Sequence, residues 1–576
     1  MLAAAGVVAS TGPALAATAY YVATNGSNDN PGSFSQPFAT INKCYEFVQP
    51  GDTCYVRGGT YYALGETYLT RSGTPGNYIT IKNYGGETPV LDGSGRDGVA
   101  FYYGHGSGSW TIIEGFVIRN YWRSGINIGC CGPDAEAVSN VIVRNNVIDR
   151  MGQNGITFMH ARDITVENNL VGRTGWDAGT GSWSSNINFY AMYGTNNVAR
   201  RNVAYHGVDV SSYHTDGNGF ICDLTYYNGG CRFENNIAFE NGGSGIQTTH
   251  SSNTVIVNNT TYDNGKEGTY LYGGTGIGYY GAESLANTVL RNNIAYQSFG
   301  EGLRTFGGFT NSRVSNNNIT GQSGAQNPQF ADPGNVNFAL NSGSPSIDAG
   351  TSTDAPGNSL VFDGRALLRT TANQPIGWYR YAPDFAYITS RGGVANLFSS
   401  ASRPQGNAHD QGAYESTGSN NGGGTGGGGT NVITNGAFDS GTNGWWTWFD
   451  SGAGVSGSIT AQGGTGLDGT ALKFDLSNGG GSDWQAQVGQ TVNLTAGRTY
   501  TLTFKARADS NRPMTVLVQQ AASPYTEHLS RTINLTSSSQ SLTYTFSPSA
   551  GGETYLKFLA GGSSTDLYVD SVALTG

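Results

Sequence analysis

The sequence contains few charged residues. Only 12% of its 576 residues are Asp, Glu, Lys or Arg, while 88 are Gly. This scarcity argues against helices, and the glycines favour many short strands joined by tight turns. The formal net charge of −10 also opposes binding to nucleic acid or to an anionic membrane surface. We therefore expect an all-β protein that recognises a neutral polymer or one held by local contacts.

Long apolar segments are lacking beyond the first residues. Residues 2–17 are small and mostly apolar, carry no charge and contain the A-x-A-like segment Ala14-Leu15-Ala16. This pattern predicts a signal peptide at 1–17 and a secreted protein, extracellular or periplasmic. No later run approaches the length of a membrane span.

The six cysteines of an exported chain favour disulfides. They form three pairs that are close in sequence: Cys44 with Cys54, Cys222 with Cys231, and Cys130 with Cys131. We expect the first two pairs to staple single loops. The adjacent third pair can form a vicinal bridge or stay reduced.

An asparagine pair recurs along the middle of the chain. Its second members are Asn146, Asn169, Asn202, Asn236, Asn259, Asn293 and Asn317. Their intervals of 23 to 34 residues match one coil of a β-solenoid, lengthened in places by a loop. Strand-like runs such as Val141-Ile142-Val143 precede the pairs. We expect stacked turns whose asparagine side chains hydrogen-bond along the solenoid.

Three loops break this period, and loops on a regular scaffold tend to carry binding and catalysis. They span residues 173–185, 206–218 and 264–275. Residues 417–430 contain only Gly, Ser, Thr and Asn, which predicts a flexible linker. The expected organisation is a catalytic domain at 18–416, this linker, and a second domain at 431–576.

Several segments of the first domain carry a family resemblance. These are YYVATNG at 20–26, NPG at 30–32, PFATI at 37–41, VRGGTY at 56–61, DAG at 348–350 and GAYE at 412–415. They resemble secreted right-handed β-helix proteins, among which the pectate lyases of polysaccharide lyase family nine are the nearest group. The resemblance implies a right-handed parallel β-helix, a fold that hosts lyases, hydrolases, epimerases and non-catalytic proteins.

The same resemblance implies a calcium site. Family-nine lyases bind Ca²⁺ through an Asp-Gly-Phe type site and an acidic Asp-Asp-Gly-x-Asp cluster one coil later, followed by a catalytic lysine. Asp216 in DGNGF at 216–220 matches the first site, with Asp209 as a second candidate ligand. The next coil reads ENGGSG at 240–245, so the acidic cluster is reduced to Glu240.

The second domain resembles carbohydrate-binding modules of the family four/nine type. The segments that carry this resemblance are NVITNGAFD at 431–439, YTLTFKAR at 500–507 and LYVDSVAL at 567–574. They imply a jelly-roll β-sandwich that binds glycan. The candidates for stacking on sugar rings are Trp445, Trp446, Trp448 and Trp484, of which we expect at least one to lie in the core.

The loop at 208–219 holds the densest cluster of catalytic residue types. Asp209, His214 and Asp216 lie within it, and Asp223 follows. Gly217 would let the backbone approach a substrate closely. These residues are our first catalytic candidates, and the alternative for Asp209 and Asp216 is turn formation.

Counting from the asparagine pairs predicts two columns of side chains on neighbouring coils. The first column comprises His160, Tyr193, Tyr227 and His250. It serves either as a histidine and tyrosine set for proton transfer or as an aromatic stack on the wall. The second comprises Arg150, Arg173, His206, Glu240, Asp263 and Gln297. A solvated salt-bridge ladder is the expected role of this second column.

Lys266 stands out because only three lysines precede the linker. It is a candidate base for a lyase or a clamp for a carboxylate, and the alternative is a solvated loop lysine. Trp176, Trp183 and Arg304, with Tyr193 and Tyr227, are the candidates for contacting substrate in the first domain.

The resemblance and these residues together favour a polysaccharide lyase that cleaves a uronate polymer such as pectate or alginate by β-elimination. One alternative is a glycoside hydrolase that uses a carboxyl pair drawn from Asp216, Asp223 and Glu240. Another is a non-catalytic glycan-binding surface protein. We expect a monomer with a polysaccharide partner, no nucleic-acid partner and no membrane span.

Overall fold

The structure of the protein is a computed structural model. It describes residues 17–575 except for 63–64, 95–97, 104–107, 130–136, 178, 180–182, 268–273, 300, 342, 363, 371–379, 391–393, 395–396, 406–407, 417–431, 434, 437, 439–440, 464 and 468–469. The expected signal peptide, apart from Ala17, lies outside the described residues, as do the linker and the Cys130 and Cys131 pair. The described residues form two compact units that divide between 422 and 423.

The first unit is built mainly from short strands, as the composition predicts. Its strands up to residue 319 are β1 (Ala19–Val22), β2 (Thr53–Val56), β3 (Gly59–Tyr62), β4 (Thr67–Tyr68), β5 (Ile79–Asn83), β6 (Pro89–Asp92), β7 (Val99–Tyr103), β8 (Thr111–Glu114), β9 (Val117–Arg119), β10 (Ser124–Ile128), β11 (Val138–Arg144), β12 (Val147–Met151), β13 (Ile156–Met159), β14 (Ala161–Glu167), β15 (Leu170–Thr174), β16 (Ser185–Tyr193), β17 (Asn197–Arg200), β18 (Val203–Tyr205), β19 (Asn218–Tyr226), β20 (Cys231–Glu234), β21 (Ile237–Phe239), β22 (Ile246–Thr249), β23 (Val255–Val257), β24 (Thr260–Tyr262), β25 (Ile277–Tyr280), β26 (Val289–Arg291), β27 (Ile294–Tyr296), β28 (Leu303–Thr305), β29 (Arg313–Ser315) and β30 (Asn318–Ile319).

These strands form three parallel sheets that the chain visits in turn, which makes a parallel β-helix. Sheet A has eleven strands, in the order β1-β2-β5-β8-β11-β14-β17-β20-β23-β26-β29. Sheet B has ten, in the order β3-β6-β9-β12-β15-β18-β21-β24-β27-β30. Sheet C has nine, in the order β4-β7-β10-β13-β16-β19-β22-β25-β28. A short helix, α1 (Ile41–Tyr45), lies between β1 and β2.

The predicted asparagine ladder is confirmed at the turn between sheets A and B. Each second asparagine donates from Nδ2 to Oδ1 of the next, at 3.0–3.1 Å, from Asn146 to Asn317. These side chains are buried or nearly so, and they also hydrogen-bond to the backbone. Asn202, for example, donates from Nδ2 to Val166 O and accepts at Oδ1 from Asn169 N. The residue before each of them has φ between 54° and 56°. Asparagine tolerates this left-handed conformation better than most residues, which explains why the pair recurs.

Two of the expected disulfides are present, Cys44–Cys54 and Cys222–Cys231. The second ties β19 of sheet C to β20 of sheet A. Its position matters for the site, because Cys222 is adjacent to Asp223 in the sequence.

The interior of the helix is a continuous apolar core, and a separate cluster covers the outer face of sheet B. Residues such as Tyr205 and Phe239 of that face pack against Phe338 and Tyr381 from the segment after the coils. This segment contains β31 (Phe330–Asp332), β32 (Asn337–Leu340), β33 (Asn358–Phe362), α2 (Gly364–Leu367), β34 (Leu368–Thr370), β35 (Tyr381–Pro383), α3 (Phe385–Ser390) and β36 (Phe398–Ser402). No helix among the described residues is long and apolar enough to cross a membrane.

The second unit is an antiparallel β-sandwich with its own core. Its strands are β37 (Trp446–Phe449), β38 (Ser456–Gly463), β39 (Thr470–Asn478), β40 (Ala486–Leu494), β41 (Tyr500–Ala508), β42 (Arg512–Gln520), β43 (Glu527–Leu535), β44 (Gln540–Phe546), β45 (Gly552–Leu559) and β46 (Leu567–Thr575). They form two five-stranded sheets, β37-β40-β45-β42-β43 and β38-β39-β46-β41-β44. The all-β prediction of a β-helix followed by a sandwich is confirmed.

Candidate active site

The outer face of sheet C carries polar and ionisable side chains. Ile187 and Phe189 belong to the core, so the alternating residues of β16, Asn188 and Tyr190, lie on the opposite face. Backbone pairing places Tyr190 in one row with Asp223, Thr249 and Tyr280 on successive coils. Strand spacing makes these residues neighbours at about 4.8 Å per coil.

A second row lies beside the first and consists of Asn188, Ile221, Gln247, Gly278 and Arg304. A Cβ atom on Gly278 would lie 2.6 Å from the ring of Tyr280, so the glycine gives this ring room to lie across the sheet. Burial raises the pKa of the Tyr280 hydroxyl, and the nearby Ser244 and Arg304 oppose this rise. Arg304 is half-buried, and its guanidinium is a cation on this face.

Three loops between sheets B and C wall this face on one side, as the broken period predicts. Their described residues are 175–177, 179, 183–184, 206–217, 263–267 and 274–276, between the ends of β15, β18 and β24 and the strands of sheet C that follow. Glu267 of the last loop accepts from His214 Nδ1 at 2.7 Å and from Asp209 N at 3.4 Å. Trp183 and Tyr213 stack with ring centroids 5.2 Å apart and join the first two loops. The wall is therefore one connected structure.

Asp209 and Asp216 have different roles in this wall. Asp209 is fully buried, and its carboxylate accepts hydrogen bonds from Ser211 and from Thr215 N, the latter at 3.1 Å. It shapes the loop, which agrees with the turn-forming alternative. Asp216 accepts from Asn218 Nδ2 at 3.0 Å and from Thr215 Oγ1 at 3.2 Å.

Asp216 and Asp223 are an acid pair with unusual electrostatics. Burial raises the pKa of Asp223 to about 6, although the nearby His250 opposes the shift. Burial, and then the charges of Asp223 and Asp209, raises the pKa of Asp216 well above its usual value. No described residue donates a hydrogen bond to the Asp223 carboxylate in this structure. Burial thus opposes ionisation of both carboxyls, and the charge of Asp223 adds to this effect at Asp216.

The residues of this wall do not fit the expected calcium site. Ca²⁺ takes six to eight oxygen ligands, typically including several carboxylates. The Asp209 oxygens are engaged by the loop, and the two Asp216 oxygens accept hydrogen bonds from Asn218 and Thr215. The described part of the chain contains no group of three or more His, Cys, Asp or Glu side chains arranged to hold a metal. The contacts of Asp209 and Asp216 therefore suit hydrogen bonding within the loop better than calcium binding.

Glu240 and Lys266 are both engaged in ion pairs. Glu240 is buried and bonded to His206 and Arg380. Burial alone would raise its pKa, but these hydrogen bonds outweigh it and lower the pKa of Glu240. Lys266 Nζ lies 2.5 Å from Asp263 Oδ2. The ammonium group is thus engaged by a carboxylate of its own loop, and this contact does not support the assignment of Lys266 as the base.

The second predicted column is present, but it is not a solvated ladder. Its members, from Arg150 to Gln297, all have φ between 50° and 61° at the turn between sheets B and C. His206 and Glu240 in its middle are buried. The expected solvation is wrong there because the segment after the coils, including Arg380, covers this part of the turn.

The first predicted column does not follow the register of sheet C. Tyr193 pairs with Tyr226, not Tyr227, and His160 lies level with Ala191, two residues before Tyr193. The side chains still meet, because the His160 ring lies 6.1 Å from that of Tyr193 and Tyr193 lies 6.1 Å from Tyr227. Tyr193 is nearly buried and Tyr227 is exposed. This cluster matches the aromatic-stack alternative.

His250 lies apart from that cluster. Its Nδ1 atom is 3.1 Å from Glu283, and its side chain is exposed. His250 acts on the acid pair through its charge, which opposes the rise in the pKa of Asp223.

Tyr190, Gln247 and Tyr280 lie in the rows of the site although the sequence pattern did not single them out. Tyr190, Asp223, Thr249 and Tyr280 precede the next second asparagine by 12, 13, 10 and 13 residues. A fixed offset therefore cannot find this row. The alternation of Ile187 and Phe189 with Asn188 and Tyr190 was the available signal.

The tryptophans of the second unit separate into core and surface residues. Trp445 is buried, lies in the core and donates from Nε1 to Asn435 O at 3.1 Å, so its assignment to substrate binding is corrected. Trp446 is half-buried with its ring edge-on to Tyr555. Trp448 and Trp484 are exposed and stacked, with ring centroids 6.1 Å apart. They form the flat aromatic surface of this unit.

A parallel β-helix with an acid pair on its outer face, joined to a β-sandwich with exposed tryptophans, defines a polysaccharide-active protein. The family described as "Pel9A-like, right handed beta helix region" matches residues 20–337, more than half of the chain. The protein belongs to this family. Residues 430–562 match the carbohydrate binding domain family CBM 4/9.

Known proteins resemble parts of the chain. Pectate lyase PEL9 of Emericella nidulans is 34% identical over 87 residues, which are 15% of this chain and 21% of that protein. The crystal structure of pectate lyase Pel9A is 18% identical, covers 69% of this chain and 96% of its own, and has a TM-score of 0.41. A structure described as "CBM4 structure and function" is 28% identical, covers 25% of this chain and 98% of its own, and has a TM-score of 0.23. The chain thus spans about a fifth of the curated lyase that it matches.

Proposed function

We propose that the protein is a secreted polysaccharide lyase that cleaves a uronate polymer, such as pectate or alginate, on the outer face of sheet C. The observation that carries this proposal is Asp223. It is a half-buried carboxyl on the outer face of sheet C with a pKa raised to about 6, and no described residue donates a hydrogen bond to it. A base with such a pKa accepts a proton effectively near neutral pH.

In β-elimination, the Asp223 carboxylate takes the proton from C5 of the uronate. The electron pair forms the double bond between C4 and C5, and the bond from C4 to the glycosidic oxygen breaks. Tyr190, the neighbour of Asp223 in its row, donates its hydroxyl proton to the leaving oxygen. Water restores the tyrosine, and Asp223 releases its proton to solvent.

The uronate carboxylate must be neutralised for C5 to lose its proton. The pKa of Asp216 is raised by burial and by the charges of Asp223 and Asp209, and its acid form would donate a hydrogen bond to that carboxylate. A hydrogen-bonded chain from Asp216 through Asn218 reaches Ser244, which lies near the Tyr280 hydroxyl. Arg304 lies at the end of this chain and supplies a positive charge.

A glycoside hydrolase is the second candidate, because both members of the acid pair have raised pKa values. Hydrolysis uses one carboxyl as an acid and the other as a base or nucleophile. Incubation with a panel of polysaccharides separates the two reactions. Ultraviolet absorbance of an unsaturated uronate product marks elimination, and new reducing ends without that absorbance mark hydrolysis. Retention of the polymer without cleavage would refute both and leave the non-catalytic glycan-binding protein.

Two further features support a secreted polysaccharide-degrading enzyme. The two disulfides are typical of an oxidising compartment. The carbohydrate-binding domain at 430–562 would hold the enzyme on its polymer and raise the local substrate concentration.

A further inference from the structure

A cavity of about 330 Å³ lies on the turn between sheets B and C, on the N-terminal side of the acid pair. It is lined by Asp92, Ser94, Asn120, Arg150 and Trp176. These residues come from four successive coils, at the ends of β6 and β9, within β12 and just after β15. Trp176 is one coil and Arg150 two coils before the loop that carries Asp216, which is about 5 and about 10 Å along the helix axis.

Arg150 is an unneutralised cation in this cavity. Its guanidinium lies over the ring of Trp176, 5.7 Å from the ring centroid, and it is exposed. Among the described residues it pairs with no carboxylate, whereas Arg173 in the same column is paired with Asp149. An arginine stacked on an indole ring presents its donors in a fixed fork that suits a carboxylate.

The other lining residues offer hydrogen bonds to a polar ligand. The Nε1 atom of Trp176 is buried and meets no acceptor in the part of the chain that is described. Asp92 is held by Arg119 at 2.8 Å and by Asn120 at 3.0 Å. Its charge is thus balanced by Arg119, and a carboxylate fixed in this way can also accept from hydroxyl groups.

We infer that this cavity is a distal subsite for one uronate residue of the polymer. Arg150 binds the sugar carboxylate, Trp176 packs against the sugar ring, and Asp92 accepts from its hydroxyl groups. The cavity and the loop of Asp216 lie along the same turn, so one polymer chain that follows the helix axis reaches both. This inference rests on the proposed function for the direction of the chain, but binding in the cavity is measured without turnover.

The test measures binding of acidic oligosaccharides to the full chain. Every protein carries Asp223→Asn to stop turnover and Trp448→Ala with Trp484→Ala to remove the aromatic surface of the second unit. The probes are oligogalacturonates and oligomannuronates of increasing length, with neutral galactose and glucose oligomers as comparisons. Calorimetry gives the affinity of each protein for each probe.

Arg150→Gln is expected to weaken binding of long oligouronates on the order of tenfold, because a hydrogen bond to a charged group is lost. Trp176→Phe keeps an aromatic ring but removes the indole N–H, and it should weaken binding by a smaller factor. The matched control is Arg200→Gln on sheet A, which should leave the affinity unchanged because Arg200 lies on another face, beside Glu167. Short oligouronates that cannot span both sites should show no difference between the variants.

The failures of the two proposals are distinguishable. If Arg150→Gln binds long oligouronates more weakly but the wild-type protein cleaves no uronate polymer, the subsite is supported and the lyase proposal is refuted. If wild-type protein cleaves a uronate polymer and Arg150→Gln binds as tightly as Arg200→Gln, the subsite is refuted. Equal binding of neutral and acidic oligomers, or no binding of the acidic ones, refutes it as well.

Discussion

Replacing Asp223 by asparagine should stabilise the folded protein at neutral pH while abolishing its activity. Burial raises the pKa of this carboxyl from 3.8 to about 6, so the folded state holds the proton more tightly than the unfolded state. The folded state is then favoured at low pH, and its stability falls as the pH rises from about 4 to about 6. Roughly two pKa units correspond to about 3 kcal/mol of unfolding free energy. Asparagine carries no charge and avoids this loss.

The measurement is urea unfolding of wild type and Asp223→Asn at pH 4 and pH 8, following the transition of the β-helix unit. The variant should gain up to about 3 kcal/mol at pH 8 and almost nothing at pH 4. Asp29→Asn, at an exposed position in the first unit, is the matched control and should show no such difference. An equal effect of Asp223→Asn at both pH values would refute the assignment of a buried, costly charge to Asp223.

Three further predictions address the chemistry, the fold and the second unit. With Asp223 as the base, kcat/KM should rise as the pH increases through about 6, whereas a decline above that pH would identify Asp223 as the acid of a hydrolase. Activity that is lost on chelation and restored by Ca²⁺ would contradict the proposal that the site works without calcium. Asn202→Leu removes the side-chain partner of the buried groups Asn169 N and Val166 O and interrupts the ladder, so it should destabilise the β-helix by about 3 kcal/mol in urea. Trp445→Ala should cost about 3–5 kcal/mol of stability. Trp448→Ala and Trp484→Ala should lower retention on polysaccharide in affinity electrophoresis without unfolding the protein. The reverse pattern would mean that the core and surface assignments are exchanged.

The coil structure could be predicted from the sequence because its signal is repeated. From β11 onward, each turn between sheets A and B uses a left-handed residue followed by an asparagine of the ladder, so the pair recurs at the spacing of a coil. Two disulfide pairings were also predictable, because each joins cysteines about ten residues apart. Both features involve residues at regular or short separations in the sequence, so the residue spacing reveals them.

The candidate site could be predicted only in part, because it depends on contacts between residues of different coils and of the segment after the coils. The loop with Asp216 was apparent as a break in the period, and Asp223 as a carboxyl just after it. The partners of Lys266 and Glu240 were not apparent, since the pairing of Glu240 involves Arg380, 140 residues away in the sequence. The row of Tyr190 and Asp223 was hidden by the unequal lengths of the sheet C strands, nine residues in β16 and β19 but four in β22.

The position of the acid pair within the solenoid explains how the fold tolerates it. Each coil contacts mainly its neighbours, so the unfavourable burial of Asp216 and Asp223 acts on one coil and the two beside it. That coil is also closely held: Cys222, next to Asp223, is bonded to Cys231, and Asn202 and Asn236 continue the ladder on either side. Stabilising contacts thus surround the strand that carries the raised pKa. These contacts fix the strand that holds Asp223 in the partly buried position where its pKa is raised.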